Sequence, residues 1–178
     1  GLYRFYDMRS WFQEALAVFS EAATNLETSF GSADQITGRK AIILGNLLSR
    51  QGWFSYRLGF SEQAKAFLQK SLVILRHANA QWELATALNE LGIVTYRSGE
   101  YVRAKQLYEE SLAISRELGD HRRSAVTLNN LGNVCRALGE YVQAKEFLQE
   151  NLEIMRELGD QFSIANSLNN LGEVSRVQ

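Results

Sequence analysis

The amino-acid sequence predicts an all-α protein, a solenoid of antiparallel helix hairpins, and three observations predict it. The first is a period. Leu88-Asn89-Glu90-Leu91-Gly92 returns as Leu128-Asn129-Asn130-Leu131-Gly132 and again as Leu168-Asn169-Asn170-Leu171-Gly172, each block 40 residues after the last. Self-similarity at such a spacing marks stacked supersecondary units. The second is punctuation. The chain of 178 residues has no proline and 13 glycines. Proline breaks helix interiors and is common in loops, so a chain without it reads as nearly all helix with short turns. The third is apolar spacing of three to four residues between the glycines, as amphipathic helices require.

The elements follow in chain order. Residues 1–8 read as the tail of a first helix. Trp11 to Leu26 reads as the second helix of an early, partial repeat (residues 1–30), with Ala15 in the place of Ala64. Those two alanines are 49 residues apart, nine more than the period. The excess falls near Thr28 to Arg39. Ser32, Ala33, Asp34 and Gln35 suggest a capped start there, so a long helix is expected from about Ala33 to Leu58. It opens the first full hairpin (31–79), in which Gly52 holds the place of Gly92.

In the second hairpin (80–119) the first helix runs from Gln81 to Ser98, burying Leu84, Ala85, Leu88, Leu91 and Val94. Gly99 ends it, because glycine adopts the left-handed cap without strain. Tyr101 to Leu118 forms the second helix, with Ala104, Leu107, Tyr108, Leu112 and Ile114 inward. Gly119 closes it, and Asp120 can accept hydrogen bonds from the next helix's free amides. The third hairpin (120–159) repeats this with Ala125, Gly139, Ala144 and Leu158-Gly159-Asp160. Residues 160–178 supply one more first helix. Turns this short make neighbouring helices antiparallel. Ala104 and Gly92 are expected where the helices of a hairpin cross closely. Neither end carries a polar cap, which solenoids need. The expectation is one solenoid over 1–178, a segment of a longer protein, with self-association through the uncapped ends as a further outcome.

Composition excludes several functions. A net charge of -1 gives no general attraction for nucleic acid or an anionic membrane. No apolar run reaches the roughly 18 residues of a membrane span. The single cysteine, Cys135, rules out an internal disulfide and a cysteine cluster, and fits a cytoplasmic setting. His77 and His121 fall at turns without partners at metal-ligand spacing. Cys135 stands where the sister repeats have Thr95 and Ser175, so it reads as a packing residue with no base beside it. Glu109, Glu110, Glu117, Glu146, Glu150 and Glu157 read as a solvated face with i,i+4 pairs. No phosphate loop, cofactor or metal is expected, and no enzyme, because no convergent set of titratable groups can be assembled.

The pattern resembles the tetratricopeptide repeat, carried by Leu88, Leu91-Gly92, Ala104 and Tyr108. It departs from that family's signature at Thr95, where an aromatic is usual, and at Arg116, where proline is. Its period of 40 is similar to the repeats of kinesin light chains, Pins-type adaptors and the C-terminal solenoids of bacterial signal-transduction ATPases. The resemblance implies a right-handed superhelix whose first helices line a concave groove. Carried over by motif, groove positions lie three before, one after, and four to five after the repeat glycine. They give Asn89, Asn129 and Asn169; Trp53 and Asn133; Tyr56, Tyr96, Arg136 and Arg176; and Arg57 and Arg97.

An asparagine amide donates and accepts, so a ladder of them can hold an extended backbone. Arginines prefer carboxylates, and Trp53, Tyr56 and Tyr96 are residue types that carry binding energy. The second reading of the asparagines is that they tie neighbouring repeats together. The expected function is a sensor or adaptor module of a larger, bacterial signalling protein, binding a protein or peptide segment of acidic character. The alternatives are a homo-oligomerisation module and a receptor for a short peptide or small ligand.

Overall fold

The computed structural model describes residues 2–30 and 37–177, with side chains over 8–28 and 37–176. Among these the element order is α1 (Leu2–Phe30), α2 (Gly38–Arg57), α3 (Ser61–His77), α4 (Gln81–Arg97), α5 (Tyr101–Glu117), α6 (His121–Leu138), α7 (Tyr141–Glu157) and α8 (Gln161–Val177). The all-α fold expected from the period is present. Helices α4 and α5 end one residue before the expected Ser98 and Leu118.

The N-terminal part differs from its expectation. Helix α1 is continuous from Leu2 to Phe30, without a break between an early helix tail and Trp11. The stretch holds neither glycine nor proline, so nothing stops a nucleated helix from adding one hydrogen bond per residue. Helix α2 begins at Gly38, not near Ala33. Thr37 before it is extended, at φ -122° and ψ 168°. The capped start expected at Ser32 to Gln35 lies outside the described residues.

The turns obey the glycine punctuation. Gly59, Gly99, Gly119, Gly139 and Gly159 all have positive φ, and Asn79 takes the same conformation (φ 52°) at the place of Gly119 and Gly159. Asparagine is among the few residues that tolerate it. This conformation folds the chain back on the finished helix. The amide of Phe60 donates to the Ser55 carbonyl at 2.8 Å, Asp120 to Ser115 at 2.9 Å, and Glu140 to Cys135 at 2.9 Å. Asp120 then caps α6 by accepting from the Arg123 amide at 2.9 Å, and Asp160 accepts from the Ser163 amide at 3.1 Å. That bond holds the Asp160 carboxyl below its ordinary value.

The helices group into two compact units, Gly1–Val94 and Thr95–Gln178. In the first, α1 packs on α2 and α2 on α3. Ala23, Ala41, Leu44 and Leu48 form a buried cluster, closed by Leu26, Leu47, Phe67, Ile74 and Ala78. Each such leucine contributes about 1.5–3 kcal/mol through burial. The close crossing is seen at Gly52: a Cβ there would lie 2.6 Å from Leu68 Cγ and 3.1 Å from the Ala64 carbonyl oxygen. The Ser71 hydroxyl donates to the Gly45 carbonyl at 2.7 Å.

The second unit stacks α5, α6, α7 and α8 in sequence. A Cβ on Gly132 would lie 2.5 Å from Leu148 Cγ. Asn151, at the place of Ser71, donates to the Ala125 carbonyl at 2.6 Å and accepts from the Ser167 hydroxyl. Several charges on the second helices pair beyond their own helix. They reach across to the neighbouring repeat: Arg116 to Glu150 at 2.6 Å and Lys105 to Glu140 at 2.6 Å. In the first unit Lys70 reaches Glu27 at 2.6 Å. Long basic side chains span the distance between adjacent helices, and the stacking brings their partners within reach. Such exposed pairs stabilise by about 0–1 kcal/mol each.

Candidate functional site

The first helices α2, α4, α6 and α8 carry the expected ligand-facing positions at spacings of three and four residues, which places them on one helix face. Each unit assembles its share differently.

In the first unit, Trp53, Tyr56 and Arg57 come together at the end of α2. The Trp53 and Tyr56 rings are 5.5 Å apart, centroid to centroid. The Arg57 guanidinium lies 4.7 Å from the centre of the Phe12 ring and 5.9 Å from that of Trp53. Phe54 braces this group, 5.9 Å from Phe12 and stacked on Phe19 at 5.6 Å. A cleft of about 200 Å³ opens beside it, lined by Met8, Arg9, Phe12, Arg57 and Leu58. These lining residues supply two guanidinium groups and no carboxylate. The rings hold the Arg57 cation from below and leave its edge to accept a carboxylate from outside.

Asn89 is half-buried on α4. The place three before the glycine in α2 is held by Ser49, which is buried and donates to the Glu90 carboxylate. Glu90 is 7 % exposed and also faces Arg50 at 3.4 Å. Burial pushes its carboxyl above the ordinary value, and the Ser49 hydrogen bond and the Arg50 charge offset part of that rise.

In the second unit, Tyr96 packs on Tyr101 with ring centres 5.3 Å apart, and Arg97 is exposed. Asn129 accepts a hydrogen bond from the Asn170 amide at 2.8 Å. This rung has the register of Ser49 and Glu90: a residue three before one repeat glycine meets a residue two before the next. The polar series therefore joins successive first helices in both units, as the tying reading of the asparagines requires. Asn133 is half-buried, while Asn169 and Arg176 are exposed. Arg136 pairs with Glu173 at 3.3 Å, so its charge is largely neutralised by the protein itself.

Cys135 is buried beneath this surface, and burial pushes its thiol up to about 12. Lys105 and Glu140 beside it are joined by a hydrogen bond that raises the lysine and lowers the glutamate. A buried thiol that stays protonated packs as a small apolar group. No described helix is long and apolar enough to cross a membrane.

Three contributors were not singled out by sequence. Arg9 and Phe12 join Arg57 only through the packing of α1 on α2, which breaks the 40-residue register. Glu90 was readable in retrospect, as the acidic residue where the later copies have Asn130 and Asn170.

Comparison with known proteins agrees with the helical-repeat fold. The sequence pattern of the tetratricopeptide repeat matches residues 44–117, 83–157 and 123–176, well over half of the chain. No curated protein matches. Among solved structures, BtubC (BKLC) from P. vanneervenii is similar with a TM-score of 0.80 and 21 % identity, over 93 % of this chain and 65 % of that one. A putative kinesin light chain with nearly identical TPR-like repeats from Podosopora anserina has a TM-score of 0.77 and 16 % identity, over 98 % of this chain and 82 % of that one. RapI in its apo form has a TM-score of 0.75 and 20 % identity, over 91 % of this chain and 45 % of that one. The chain thus spans less than two thirds of BtubC and less than half of RapI. At these identities the likeness concerns the fold.

Proposed function

The chain belongs to the tetratricopeptide repeat family, and from that premise we propose that it is a protein-interaction module whose first-helix face holds an acidic peptide segment. The observation that carries this is Arg57, set over Phe12 and Trp53 beside a cleft lined by Arg9 and, among the described residues, no carboxylate. An acidic side chain would meet two guanidinium groups there, and its apolar neighbours would meet Phe12, Met8, Trp53 and Tyr56. The cleft's roughly 200 Å³ suits one or two side chains. It is smaller than the several hundred Å³ of small-molecule pockets, which favours a peptide.

The second unit, taken by itself, carries neutral groups on a first-helix face of its own. Asn129, Asn133 and Asn169 offer amides along the face, and Arg97 and Arg176 add cations at its exposed ends. Arg136 is a weaker anchor, because an incoming carboxylate must compete with Glu173. We place this surface in a larger signalling protein as a sensor or adaptor. The bacterial style of the repeats supports that, and the single buried cysteine fits a cytoplasmic setting.

The test is fluorescence anisotropy with a labelled extended peptide that alternates glutamate with phenylalanine. Arg57→Ala should weaken binding about tenfold or more, the loss of roughly 1.4 kcal/mol. Arg103→Ala, on the outer face of α5, should leave it unchanged. Equal affinity of wild type and Arg57→Ala would remove the cleft from the binding site. No binding to wild type at millimolar peptide would remove the acidic ligand altogether.

A further inference from the structure

At two places the chain departs from its own repeat by exchanging an apolar residue for a polar one. Leu44 in α2 and Leu84 in α4 are buried, and Ile164 holds the same place in α8, but α6 has Ser124 there. On the second helices, Val73 of α3 and Ala113 of α5 are followed in register by Glu153 of α7. Both exchanges fall on the walls of one cleft inside the second unit. It has a volume of about 350 Å³ and is enclosed by the end of α5, the first turn of α6 and the later part of α7. It shares no residue with the Arg57 cleft.

Glu150, Glu153 and Glu157 line it from α7 at spacings of three and four residues, which puts them on one helix face. Glu150 is already engaged, because Arg116 donates to both its oxygens at 2.6 and 2.8 Å. The Glu153 and Glu157 side chains are exposed and have no ion pair or hydrogen bond with a described residue. Ser124 lines the same cleft at only 4 % exposure, and its hydroxyl likewise meets no partner among the described residues. A buried hydroxyl is costly to leave unpaired, so this one points to a group supplied from outside the chain. Ile154 adds a half-buried apolar wall.

The charge is spread out. No three described carboxylate, imidazole or thiol groups converge as a metal ion requires. Glu153 and Glu157 are about 6 Å apart along the axis of α7, at 1.5 Å per residue. We propose that the cleft binds a short linear diamine as a free small molecule. One ammonium pairs with Glu153 and the other with Glu157, the Ser124 hydroxyl accepts from an ammonium, and the methylene chain lies on Ile154. Four methylenes separate two nitrogens by about the one helical turn between the two carboxylates. The cleft volume falls at the low end of the roughly 300–1,000 Å³ of small-molecule sites. Glu150 offsets the charge of Arg116, which leaves the cleft attractive to cations.

Isothermal titration calorimetry with 1,4-diaminobutane at constant ionic strength tests this. Wild type should bind one diamine per chain with a Kd of about 1 mM or tighter, and Glu153→Gln and Glu157→Gln should each weaken it about fivefold or more. Ser124→Leu restores the leucine of the sister repeats. It should fill the cleft and abolish binding, with wild-type helicity by circular dichroism; if it misfolds, the two glutamate variants decide. Glu117→Gln, at the corresponding place on α5, should change nothing. Butylamine, with one ammonium, should bind about fivefold more weakly or worse, and so should a lysine blocked at both backbone ends. Magnesium chloride at matched ionic strength should not displace the diamine. A wild type that takes up no diamine at about 10 mM overturns the proposal. So does wild-type affinity in both glutamate variants or in a folded Ser124→Leu protein. Displacement by magnesium would reveal diffuse cation attraction, and blocked lysine binding as tightly as the diamine would assign the cleft to a protein side chain; either result also overturns it.

Discussion

At the residue scale, Glu90 shows how one substitution in a repeat changes the chemistry of a position. In the later copies the place belongs to Asn130 and Asn170, and Asn170 donates to Asn129 as a neutral amide. In the first unit the same rung is a buried carboxylate receiving the Ser49 hydroxyl. Its folded-state proton affinity is raised, chiefly by burial. The sign follows. A raised carboxyl binds its proton more tightly folded than unfolded, so its ionised form destabilises the fold above the folded-state value. That cost fades as pH falls toward the ordinary 4.5. Glu90→Gln keeps an acceptor for Ser49 and removes the charge. It should melt higher than wild type at pH 7, with the gap closing toward pH 4.5 in thermal scans by circular dichroism. A gap independent of pH would show that ionisation of Glu90 is not what the rung costs.

At the scale of the element, the repeat glycines have one sequence role and two structural situations. Gly132 meets Leu148 at 2.5 Å, whereas Gly172 meets nothing within 4 Å. Leu148 is fully buried and has no room to turn away. Gly132→Ala therefore overpacks the crossing, costing about 1–3 kcal/mol, which exceeds the roughly 1 kcal/mol alanine gains in helix propensity. Gly172→Ala meets no such contact and keeps the propensity gain. Urea melts at low protein concentration should thus move in opposite directions for the two. The same shift in both would mean that the crossing at Gly132 relaxes more than its packing suggests. The period predicted these glycines as equivalent, because it cannot tell which helix is covered.

For the whole molecule, the proposed binding draws on electrostatics more than folding does. The pairs between neighbouring helices, Arg116 with Glu150 and Lys70 with Glu27, are half-exposed and contribute little to stability. The core is mostly apolar, built chiefly of buried leucines and alanines. Raising salt from about 0.1 to 1 M shortens the screening length from roughly 10 to 3 Å. The melting temperature should then move by only a few degrees, while affinity for the glutamate-phenylalanine peptide falls severalfold. Affinity indifferent to salt would leave the aromatic groups, not Arg57 and Arg9, as the anchor.

By itself the sequence determined the helices and turns from α4 onward, and the family. These depend on local rules: glycine where the backbone turns left-handed, small residues at crossings, apolar residues every three or four. A period repeats such rules, so they can be read without knowing what lies across a gap. Tertiary structure decided the partners. Arg136 was legible as a groove cation, yet Glu173 on the next first helix neutralises it. Asn129 was legible as a groove amide, yet Asn170 occupies its oxygen. Arg57 gained Phe12 and Arg9 from α1, the one helix displaced from the period by nine residues. The physical reason is common to all three. A side chain's charge and reach are written in the sequence, but the group that meets it depends on how separate helices pack, and the period is silent on that where its register breaks or its copies diverge.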